Sequence, residues 1–118
     1  MVVNEQFTQT PVTKLAPTEA WRLLSAERPF VLDVRPLDFT TNQSYIKGAI
    51  HCPLVDLIDR INELPKNRPL LICDWTMKQS PLAAIYLQSK GYNVLGVVKG
   101  GMERWLHENF PSEARMLP

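Results

Sequence analysis

Pro69-Leu70-Leu71-Ile72-Cys73, running through Asp74-Trp75-Thr76-Met77-Lys78-Gln79 into Ser80-Pro81, is the stretch that decides the fold. The apolar run is too short for a helix and is bounded by proline, so it reads as a buried strand. Ser80 suits a helix N-cap and Pro81 a first-turn position, which makes the segment between them a tight loop entering a helix. A thiol ending a buried strand, ahead of such a loop, sits where an α/β fold places its ligand. Backbone N–H groups and the positive helix end are expected to favour the thiolate there. Cys73 is therefore the candidate reactive sulfur.

The pattern extends outward in both directions. After Ser80 the helix is expected to bury Leu82, Ile85 and Tyr86 and to end at Gly91. Val94 to Val98 follows as a strand interrupted by Gly96. Gly100-Gly101 then opens a last helix with Met102, Trp105 and Leu106 on one face. Towards the N-terminus, Leu54, Leu57, Ile58 and Ile61 fall at i, i+3, i+4 and i+7 and predict an amphipathic helix that Pro65 helps to stop. Short strands are expected at Val12-Thr13-Lys14-Leu15, at Phe30-Val31-Leu32 and within Gly48 to Pro53. A helix starting at Pro17 turns Trp21 and Leu24 inward and Glu19, Arg22 and Ser25 outward. Strands alternating with helices imply an α/β fold with an about five-stranded, mainly parallel sheet and helices on both faces. The expected organisation is a loose N-terminal segment (1–11), one domain (12–110) and an irregular tail (111–118).

Composition narrows the function classes. The 118 residues suffice for one core, and 45% apolar content lets burial outweigh chain entropy. Net charge is +1, with basic residues scattered from Lys14 to Arg115, so no electrostatic case exists for binding nucleic acid or a membrane surface. The first residues lack the basic and apolar regions of a signal peptide, and no apolar run is long enough to cross a bilayer. Two cysteines without an export signal suggest a cytoplasmic protein. His51 and His107 are far apart, and no Cys/His/Asp spacing suggests a metal site.

Taken together, Asp33-Val34-Arg35, then Tyr45-Ile46-Lys47-Gly48-Ala49-Ile50-His51-Cys52-Pro53, the strand-Cys73-loop-helix unit, Gly91-Tyr92, and Lys99-Gly100-Gly101-Met102-Glu103-Arg104-Trp105 resemble a rhodanese domain, over roughly Val12 to Phe110. The resemblance implies a sulfurtransferase without metal or organic cofactor. Cys73 would take sulfane sulfur from a small donor such as thiosulfate or a persulfide, then pass it to a thiol or a protein acceptor. Asp74, Trp75, Thr76, Met77, Lys78 and Gln79 would form the substrate-binding loop. Within the family an arginine commonly stands five residues after the cysteine and is followed at once by a serine. Here Lys78 holds that position, followed by Gln79 and Ser80, and Cys73 lies one residue further than usual from Gly91-Tyr92. The longer loop is similar to that of rhodanese-fold phosphatases and arsenate reductases, but Gln79 replaces their dianion-gripping arginine, which ranks that chemistry lower. A catalytically weak module for partner binding or redox sensing is the alternative from another class.

Several residues carry two readings. Asp74 beside a thiolate would raise its pKa unless the carboxylate faces solvent, which is the expectation. Trp75 and Met77 either select an organic or protein-bound persulfide or pack the loop onto the domain. Cys52 reads as a core thiol rather than a redox partner of Cys73. Asp33 and Arg35 are expected to brace the region beneath the loop. Lys99 reads as a solvated lysine, and Trp21 and Trp105 as core.

Overall fold

The computed structural model describes residues 11–36 and 44–114. Strand β1 (Lys14–Leu15) leads into helix α1 (Pro17–Glu27), then β2 (Phe30–Asp33), β3 (Ser44–Tyr45) and β4 (Ile50–His51). A short helix α2 (Leu57–Arg60) is flanked by 3-10 turns at Leu54–Asp56 and Ile61–Glu63. β5 (Leu70–Cys73), α3 (Ser80–Ser89), β6 (Val94–Val98), α4 (Gly101–His107) and β7 (Glu113–Ala114) complete the order. Five strands form a parallel sheet in the order β1-β6-β5-β2-β4, and β3 pairs antiparallel with β7 in a separate two-stranded ribbon. The expected α/β architecture is present.

β5 lies at the centre because every residue in it is apolar and buried on one face or the other. Alternation along the strands divides the core in two. Leu32, Leu70, Ile72 and Val97 face α3 and the segment around Leu57, while Val31, Leu71, Cys73 and Val98 face Ala20, Met102 and Trp105 of α1 and α4. The sheet is thus covered on both sides.

Several local expectations shift. The periodic run at Leu54 to Ile61 breaks into 3-10, α and 3-10 pieces, and Ile58 turns out to solvent. A 3-10 turn advances three residues rather than 3.6, so the apolar stripe does not stay on one face. In α3 it is Ala83, Ala84 and Leu87 that are buried, and Leu82 is exposed. Ser80 is the first helical residue rather than the N-cap, which is Gln79. Trp21 is 44% exposed, although its ring still meets Trp105 edge-on. The tail contributes β7 instead of being wholly irregular. Residues 37–43 and most of the N-terminal segment lie outside the described residues.

Candidate active site

β5 delivers Cys73 and Asp74 to the C-terminal end of the sheet, the place anticipated for a ligand. Because adjacent residues leave a strand on opposite sides, the two side chains part company here. Cys73 points into the α1/α4 core, among Leu15, Ala20, Val31, Met102 and Trp105, and has no exposed surface. Asp74 turns to the loop that follows.

That loop folds around the Asp74 carboxylate. Oδ1 accepts the Met77 N–H at 2.6 Å, and Oδ2 accepts those of Gln79 at 2.7 Å and Ser80 at 2.8 Å. The amides gathered before the α3 N-terminus are therefore directed at a carboxylate carried by the chain itself. This corrects two expectations: Asp74 is fully buried rather than facing solvent, and these amides do not cradle the Cys73 sulfur. Asp74 also supplies the cap expected of Ser80, whose buried Oγ has no hydrogen-bond partner.

The environment of Cys73 works against ionisation. Burial pushes its thiol well above the ordinary range, Asp33 adds to the rise, Arg35 opposes it, and Asp74 adds a little more. Desolvation dominates because the sulfur lies among hydrocarbon and aromatic groups. A reactive thiolate needs the reverse.

The other candidate residues divide by role. Trp75 packs on the α1/α4 core and Met77 on the opposite core, so the two bulky side chains clamp the loop onto both faces of the domain. Met77 adopts a left-handed backbone with φ of 75°, a conformation suited to glycine, which marks the point where the loop doubles back. Lys78 is exposed, Thr76 and Gln79 are partly buried. The carbonyls of Asp74 and Trp75 accept the N–H groups of Met102 and Glu103, stitching the loop to the first turn of α4. Lys99 is exposed, as expected of a solvated lysine.

Beneath the loop, Arg35 grips Asp33 through Nε and Nη2, with the shortest contact 2.6 Å, and Nη2 also reaches the Ser44 carbonyl. His51 Nε2–H donates to the Arg35 carbonyl at 2.7 Å. The Asp-x-Arg pair is thus the brace expected of it, fully buried at both ends. Cys52 is also buried, in the α2/α3 core, with its thiol raised chiefly by burial. Its core and that of Cys73 lie on opposite faces of the sheet, so the two sulfurs are not partners. Among the described residues no group of His, Cys, Asp and Glu is arranged to hold a metal ion.

Asp74 was expected in the substrate-binding loop, but its role as the buried acceptor of the loop amides was missed in the sequence. A signal for it existed: counted from Asp74, Gln79 stands fifth and Ser80 sixth, which restores the serine to its common place and removes the extra residue before Gly91-Tyr92. 

The model of the rhodanese-like domain matches residues 16–108. The chain is 30% identical over 101 residues to the thiosulfate sulfurtransferase GlpE of Pseudomonas syringae, covering 85% of this chain and 92% of that protein. It is 26% identical to the protein of the same name from Glaesserella parasuis, over 86% of this chain and 93% of the relative. A rhodanese-related protein of Thermoplasma volcanium, 22% identical, superimposes with a TM-score of 0.77 over 86% of this chain and 98% of its own, and so shares the fold. With the domain match running through most of its length, the chain belongs to the rhodanese-like family.

Proposed function

We propose that this domain is a rhodanese-like binding module that does not pass sulfur through Cys73. The observation that carries the reading is the set of hydrogen bonds from Met77, Gln79 and Ser80 to Asp74. A sulfurtransferase loop needs its amides free for an anionic sulfur, and here a permanent carboxylate takes three of them. Cys73, buried and with its thiol pushed up, lacks both the access and the ionisation that attack on a sulfur donor requires.

A second reading, sulfur transfer through a Cys73 persulfide, is favoured by the relatives named thiosulfate sulfurtransferase. It requires the loop to release Asp74 and expose the sulfur. Three charge-assisted bonds at roughly 1 kcal/mol or more each keep such an opened form near or below about 1%.

Intact mass after incubation with thiosulfate, and separately with glutathione persulfide, separates the readings. The wild-type chain is expected to keep its mass, whereas Asp74→Cys, which sets a thiol where the amides converge, gains one sulfur atom. A sulfur adduct on the wild-type chain that disappears in Cys73→Ser would establish the second reading and remove the first.

A further inference from the structure

At the other end of β2 and β5 from the Asp74 loop, a cleft of about 630 Å³ opens between α1, the start of β2, the edge strand β4 and the segment before β7. Its volume falls within the range of small-molecule sites. Trp21, Leu24, Phe30, Ile46 and Ile50 give it apolar walls. Trp21 and Ile50 are 44% and 46% exposed, two large apolar side chains left facing water at one place. Trp21 is nonetheless held in position: its ring lies 6.2 Å from those of both Trp105 and Phe110.

The rim is cationic. Among the described residues, Arg28, Lys47 and Arg68 line it against one acidic lining residue, Glu113, and none of the three basic side chains is paired with a carboxylate. Arg68 is preorganised. Its Nη2 donates to the carbonyls of Arg28 and Pro29, both at 3.1 Å, and its guanidinium lies 5.8 Å from the Phe30 ring centroid. Those bonds occupy one end of the fork and leave Nε and Nη1 as donors. A planar cation fixed beside aromatic walls fits a ligand with a carboxylate head and an apolar body.

We propose that this cleft binds a free small-molecule amphipathic carboxylate, with the head on Arg68 and the apolar part against Trp21 and Ile50. Lys47 adds attraction from the turn before β4. A concave, walled site with a fixed guanidinium suits a molecule that enters it, in contrast to a flat surface suited to a lipid bilayer. The site is independent of Asp74 and of any sulfur chemistry.

The test is titration of the isotopically labelled full chain with decanoate below its micellar concentration, followed by amide and indole NMR shifts. Saturable shifts are expected at the Trp21 indole N–H and the Gly48 amide, with the amides of Met77, Gln79 and Ser80 unmoved. Decan-1-ol, which keeps the chain and lacks the charge, should bind about tenfold more weakly, and Arg68→Gln should weaken decanoate by about the same factor. Should Arg68→Gln lose its native spectrum, Lys47→Gln provides the comparison, with a smaller loss expected. Absence of saturable shifts, shifts confined to other faces, equal affinity for decanol, or unchanged affinity in the variants would each overturn the proposal. Binding only to decanoyl phospholipid vesicles, with none to free decanoate, would also overturn it in favour of a membrane surface.

Discussion

Asp74 concentrates more hydrogen bonding than any neighbouring side chain in the loop, and its replacement should be felt in stability before anything else. Asp74→Asn keeps the shape but removes the charge and presents an amide NH2 to groups that are themselves donors. The expected loss is about 2–4 kcal/mol, read from the urea unfolding midpoint at constant m-value. An unchanged midpoint would mean that these bonds merely replace equivalent ones to water. Cys73 yields a prediction of opposite character. Alkylation by iodoacetamide at neutral pH should be slow in the folded chain and fast after denaturation, because burial both shields the sulfur and raises its thiol. The difference between these two neighbours was hard to see in the sequence. Strand, loop and helix were all legible from proline, apolar run and Ser80-Pro81. Which of two adjacent residues entered the loop depended on which face of the sheet α3 covers, and a one-residue slip exchanges the faces.

Among the elements, α4 and the loop are joined as closely as atoms allow. Gly101 begins α4 with φ of 65°, and a Cβ added there would sit 2.3 Å from the Trp75 carbonyl oxygen. Gly101→Ala therefore forces either the backbone or the loop to move, at an expected cost of more than about 2 kcal/mol. A fall in thermal midpoint well beyond that of an exposed alanine substitution would confirm the contact; a neutral result would place the loop elsewhere. The pairing Lys99-Gly100-Gly101 was readable as a turn, but the need for a bare Cα at Gly101 came from a segment far away in sequence. The helices show the same limit. α1, α3 and α4 were visible in their caps and prolines, whereas the buried face of α3 was misjudged. Its small residues Ala83 and Ala84 pack against the sheet while the larger Leu82 does not. Close approach of helix to sheet favours small side chains, which hydrophobicity alone ranks low.

For the molecule as a whole, two buried thiols with raised values link folding to pH. The sign follows from protons bound: above the unfolded thiol value of about 8.5 the unfolded chain releases a proton that the folded chain keeps, so stability declines as pH rises. Each thiol contributes at most about 1.4 kcal/mol per pH unit to that slope. Urea unfolding between about pH 7 and pH 9.5 should show the decline. Cys73→Ala, although less stable at neutral pH, should show a shallower one, and parallel curves would argue against a buried, protonated Cys73. The fold at this scale was the most legible part, since alternating strands and helices with a central apolar strand admit few arrangements. The ribbon of β3 with β7 escaped notice because two-residue strands leave no periodic trace. One consequence concerns oxidants. With a five-stranded wall standing between Cys52 and Cys73, a native molecule cannot bridge them, so any intramolecular cystine recovered after oxidant exposure is a chemical record that the chain had come apart.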